Sequence, residues 1–104
     1  MFILIKIKFD YNQKKDITSF KVSGHANYDD YGKDIVCASV SSIVITSVNL
    51  IISIDKDSIS YLDKEGLIKV DILKQSDIIK KIVLNMKDML KQLEEQYKEN
   101  IKIL

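Results

Sequence analysis

Ile3, Ile5, Ile7 and Phe9 alternate with Leu4, Lys6 and Lys8. That is the two-residue period of a strand with one buried face, and it predicts a strand over residues 2–9. A polar turn at residues 12–15 leads to a second strand at 17–23, with Thr18, Phe20 and Val22 on one face. A loop covers 24–33. The pattern then changes period. Residues 35–54 carry no charge, and Ser39, Ser42, Thr46, Asn49 and Ser53 recur at alternating spacings of three and four. Those positions form one polar stripe on an otherwise apolar helix, with Asp34 as its N-cap. Residues 59–62 and 67–73 read as two strands around the turn Asp63-Lys64-Glu65-Gly66. Ile79, Ile82, Met86, Met89, Leu93 and Tyr97 keep helical spacing across a second helix at 76–98 that covers a sheet face. Residues 101–104 add a short strand. The order ββαββα, with that C-terminal strand, predicts an α/β (α+β) fold: a single mixed sheet with two packed helices.

A length of 104 residues and 46% hydrophobic content set one domain over 1–104 with one core. Two stretches imitate membrane or targeting signals. The apolar start is broken by Lys6 and Lys8 and followed by no small-residue cleavage site. The uncharged run 35–54 has the length of a bilayer span, but seven of its residues are Ser, Thr or Asn, so it reads as a core helix and no membrane is expected. Sixteen basic residues against fifteen acidic give a net charge of +1, which argues against nucleic acid as the main partner. Every basic residue is Lys, so the bidentate fork of Arg is absent. One cysteine makes no internal disulfide, and a reducing cytoplasm is expected. No metal and no cofactor are expected, because a zinc site built on one Cys and one His would need two carboxylates.

The chemistry concentrates between residues 24 and 38. Cys37 is the only cysteine and His25 the only histidine, twelve positions apart. With Asp34 as N-cap, Cys37 is the third helical residue, where unpaired N–H groups and the positive end of the helix dipole favour a thiolate. At about 100° per residue Cys37 shares a face with Ser41, Val44 and Val48, turned toward the body of the protein. Gly24 lets the chain turn after the second strand, and His25 at that strand end meets Cys37 if the loop folds back. An imidazole there takes the thiol proton and returns it to a leaving group, while helix N-terminal amides hold an oxyanion. The residues equally allow an inert core cysteine, a structural histidine, and an Asp34 that only caps.

Gly24-His25-Ala26, then Tyr31-Gly32-Lys33-Asp34-Ile35-Val36-Cys37-Ala38, then Ser41 resembles the ribosomal-processing cysteine protease family. The resemblance runs nearly the whole length, through Ser47-Val48-Asn49 and the ending Glu94 to Lys102. It implies a cytoplasmic cysteine endopeptidase that removes the N-terminal extension of a large-subunit ribosomal protein. By the same resemblance Cys37 is the nucleophile, His25 the general base and acid, and the enzyme a homodimer with a mobile loop after the histidine. Gly24, Tyr31, Gly32, Asp34 and Ser41 are the supporting and substrate-binding candidates. Three alternatives remain: a catalytically silent ribosome-assembly binding module, a cysteine hydrolase of small amides or thioesters, and a redox-sensing thiol.

Overall fold

The computed structural model describes residues 5–24, 35–64 and 66–104. Five strands and two helices follow one another as β1 (Ile5–Tyr11), β2 (Ile17–Ser23), α1 (Ile35–Ile54), β3 (Ile59–Lys64), β4 (Leu67–Ile72), α2 (Asp77–Gln96) and β5 (Ile101–Ile103). The strands form one mixed sheet in the order β3-β4-β2-β1-β5. The β1–β2, β2–β4 and β3–β4 pairs are antiparallel, and β5 runs parallel to β1.

That order makes both helices crossovers. β2 and β3 are parallel with β4 between them, joined through α1. β4 and β5 are parallel with β2 and β1 between them, joined through α2. The two connections travel in opposite directions from opposite-pointing strands. With a shared hand, they put both helices on the same sheet face. The burial confirms it. Ile5, Ile7, Phe9, Phe20, Val22, Ile68, Val70 and Ile72 face Val40, Val44, Val48 and Ile51 of α1 and Ile79, Val83, Met86 and Leu90 of α2 in one core. Helix α1 is by length and composition apolar enough to cross a membrane, and here its valine stripe is the middle of that core.

Several expected boundaries shift for local reasons. The start of the first strand lies outside the described residues, and its end extends to Tyr11. Ile17, not Thr18, takes the buried position at the start of β2. Asp10 pairs with Ser19 and Tyr11 with Ile17, so Thr18 is an extra residue whose hydroxyl donates to the Asp10 carbonyl at 3.3 Å. The hairpin turn is tighter than 63–66, because Lys64 still pairs with Leu67 and Gly66 takes φ 79°. Helix α2 starts after Ser76, whose hydroxyl accepts the Ile79 N–H, and ends at its C-cap Tyr97. Met89, expected in the core, is 42% exposed because the buried line passes through Val83 and Leu90 instead.

Candidate active site

The topology gathers one end of the sheet. β2 finishes at Ser23, opposite Lys6 at the start of β1 and Leu67 at the start of β4. Helix α1 returns antiparallel to β2, so its first turn lies at this same end, as does the β3–β4 turn. Gly24 takes φ 85°, in the left-handed region that suits glycine, and its N–H donates to the Gly66 carbonyl at 3.2 Å. The chain leading to His25 is thus fixed in direction by a glycine and tied to the neighbouring hairpin. The expectations for His25, Tyr31, Gly32, the Asp34 cap and the loop between them lie outside the described residues.

Cys37 is half-buried and packs against the core from the first turn of α1. The buried line of the helix is Val36, Val40, Val44, Val48 and Ile51. At about 100° per residue, Cys37 sits about 40° from the centre of that line and Ser41 about 80° from it, on the same flank. Both are half-buried while Val44 and Val48 are enclosed; for Cys37, which lies no farther from the centre of the line than Val48, the difference goes with its place in the first turn. The thiol shares its side with these valines, as the spacing implied, but borders the core rather than entering it. Its helix-start position places it in the positive field of the helix N-terminus, which favours a thiolate.

The opposite flank of α1 has a different job. Ile43 and Ser47 there, with Leu50, face Ile78, Ile82 and Met89 of α2 across a groove of about 380 Å³. Cys37 is not among the residues lining it. Two titrating groups are displaced among the described residues, and neither belongs to this arrangement. Asp55, after the far end of α1, is held below the usual carboxylate range by the Asp57 backbone N–H, with Lys74 adding to it. Partial burial raises Tyr61 on β3, and Asp63 raises it further.

The sequence matches the family model for the cysteine protease Prp over residues 4–102. This chain belongs to the Prp cysteine protease family. The ribosomal processing cysteine protease Prp of Staphylococcus aureus is 32% identical over 103 residues, covering 96% of this chain and 97% of that protein. The crystal structure of S. aureus Prp with a substrate peptide superposes with a TM-score of 0.88 at 28% identity, over 97% of this chain and 98% of that one. A second S. aureus Prp structure, with a covalently linked product peptide, has a TM-score of 0.84 at 32% identity, over 96% and 97% of the two chains. The shared Prp fold is the mixed sheet with two helices expected from the sequence, and the chain is a cysteine protease.

Sequence reasoning missed two surfaces. The α1–α2 groove escaped because Met89 was assigned to the core. The distribution of lysines over the sheet escaped because a net charge near zero hides where charges sit. The outward positions of the strands carried that signal.

Proposed function

We propose that this chain is the cytoplasmic endopeptidase that removes the N-terminal extension of a large-subunit ribosomal protein, using Cys37 and His25 as a dyad. The observation that carries the reading is that a cysteine protease with one cysteine has one candidate nucleophile, and that residue lies in the first turn of a helix. The relatives support the substrate class: one is named for ribosomal processing, and its crystal structures hold a substrate peptide and a covalently linked product peptide. The Cys37 thiolate attacks the scissile carbonyl, and the tetrahedral oxyanion is met by amides of the helix start. The C–N bond breaks as the His25 imidazolium protonates the leaving amine. His25 then takes a proton from water, whose oxygen attacks the thioester and releases the acid and the thiol. Gly24, Tyr31, Gly32, Asp34 and Ser41 support the pair and the peptide.

The homodimer belongs to the same proposal. Its support is the apolar outer face of the helices, where Leu50, Ile78 and Met89 stand exposed around the groove. Sedimentation at micromolar concentration tests it.

The deciding experiment uses a peptide spanning the extended N-terminus of the ribosomal protein, with products read by mass spectrometry. Cleavage by the wild-type chain and none by Cys37→Ala or Cys37→Ser is expected. Peptide binding without cleavage would make the chain a silent binding module. Cleavage by Cys37→Ala at the wild-type rate would remove Cys37 from the mechanism.

A further inference from the structure

The helices cover one face of the sheet, and none of the described residues covers the other. Its outward residues are fixed by the register. Lys8 on β1 lies across from Lys21 on β2, and Lys21 lies across from Lys69 on β4. In the adjoining row Lys6 lies across from Lys102 on β5, and Lys64 ends β3 at the same height. All six are exposed. None is in an ion pair among the described residues, where the recorded pairs are Lys74–Asp55 and Lys80–Asp16. The carboxylates of this face, Asp10 and Asp71, stand in a third row toward its other end, with Ser19 between them. Asp10 accepts a hydrogen bond from the Ser19 hydroxyl at 2.9 Å.

Cross-strand neighbours lie about 4.5–5.5 Å apart, and like charges set directly opposite one another destabilise a sheet. Three lysines in a row across three strands therefore work against the fold that carries them. A sheet exposed only to solvent would gain from alternating signs. The arrangement fits a surface that receives a dense anion. The two basic rows also lie toward the sheet end where β2 leads through Gly24 to His25 and where α1 begins.

We propose that this open face docks the phosphate backbone of RNA, holding the protease against a ribonucleoprotein while its active site takes the peptide. The choice of RNA as the polyanion rests on the ribosomal-processing reading. The chemistry favours phosphate over other anions. Lysine ammonium groups are point charges suited to phosphate oxygens, and the chain has no Arg for base edges. Nucleic acid is a dense line of charge, about one per 1.7 Å of axis in duplex DNA, so several lysines about 5 Å apart can each meet a phosphate at once. An acidic peptide would want pockets for its side chains, and a membrane would want aromatic and apolar anchors. Leu62 and Leu67 are the large apolar residues these rows present.

The test is fluorescence anisotropy of a labelled uridine 20-mer with the full chain, from 50 to 200 mM KCl. Lys8→Gln/Lys21→Gln/Lys69→Gln is compared with Lys14→Gln/Lys56→Gln/Lys91→Gln, an equal charge change on exposed lysines elsewhere. The first triple is expected to lose at least about tenfold in affinity at 100 mM salt. Its salt slope should be shallower by about 2, at about 0.7 per phosphate contact on a single strand. Cleavage of the free peptide should be unchanged, and melting temperature equal or higher because repulsion is relieved. Equal losses in both triples, no RNA binding by the wild type, or a lower melting temperature in the first triple would overturn the proposal. So would tighter binding of polyglutamate, phosphatidylserine vesicles or DNA through the same lysines. A chain that cleaves peptide but ignores RNA sinks this inference alone. A chain that binds RNA but leaves the peptide whole sinks the processing reading alone.

Discussion

Gly24→Ala separates backbone strain from active-site positioning, because the structure supplies its own control. Gly24 and Gly66 have nearly the same backbone, φ 85° and φ 79°, but only Gly24 adjoins His25. An L-residue held in the left-handed region costs about 1–2 kcal/mol. The narrower unfolded ensemble of alanine offsets about 0.4–1 kcal/mol of that. A net loss of about 1 kcal/mol should lower the melting temperature by roughly 4–8 °C in a domain of this size. Gly66→Ala should show the same thermal shift. The catalytic effects should differ. Misplacing a catalytic group by about 1 Å can cost about a hundredfold, so Gly24→Ala should lower kcat/KM at least about tenfold at 25 °C, where both variants remain folded. Gly66→Ala keeps the carbonyl that accepts from Gly24 and should stay within a factor of about two. Circular dichroism melts and cleavage of the extended N-terminal peptide give the two readouts. A Gly24→Ala variant with wild-type melting and turnover would show that the glycine is not needed there. Equal activity losses in both variants would assign the effect to stability rather than to the direction given to His25.

Ser41→Leu, on the flank of α1 shared with Cys37, should cut activity far more than Ser42→Leu, which points to the α1–α2 groove; equal kinetic effects would refute that placement. Iodoacetamide should alkylate Cys37 faster at pH 7 than it alkylates a model thiol, as expected of a thiol at a helix N-terminus. His25→Ala should lose part of that advantage, and a rate equal to the model thiol's in the wild type would count against an activated pair. Asp34→Ala should lose about 0.5–2 kcal/mol with the N-cap, and Asp34→Asn should retain most of the stability. An Asn variant with normal melting and no turnover would make Asp34 a third member of the catalytic group.

Periodicity made the elements legible. The alternation of β1 reads as a strand and the polar stripe in the uncharged run of α1 as a core helix rather than a bilayer span, and the residues of β2 and α1 came out at 17–23 and 35–54 as expected. Where the boundaries moved, a local interaction had decided: the extra Thr18 in β2, the pairing of Lys64 with Leu67, and Tyr97 closing α2 as its C-cap while still packing against the core. The strand order was not readable, because sequence spacing does not say that β4 inserts beside β2 and sends α1 across it. The candidate site was readable as a motif, with Cys37 found in the first helical turn. The degree of its burial depended on how the helix rolls on the sheet, a tertiary property. The lysine face stayed hidden for the same reason, since Lys8, Lys21 and Lys69 become neighbours only once three distant strands are in register.

The pairing of β1 with β5 carries a consequence for synthesis. Ile5, Lys6 and Ile7 lie beside Ile101, Lys102 and Ile103, and the Leu104 N–H reaches the Ile7 carbonyl at 2.8 Å. Glu94 of α2 accepts the Ile103 N–H at 2.7 Å, so the closing strand is also fastened to the helix before it. A ribosome emits the first strand long before its outer neighbour. At about 5–20 residues per second, that edge of β1 waits roughly 5–20 s for its partner. Unpaired strand edges are templates for association with other chains. The nascent protein therefore passes through a window of exposure that ends only when residues 101–103 leave the exit tunnel, and a stall shortly before them would leave the sheet with an open seam.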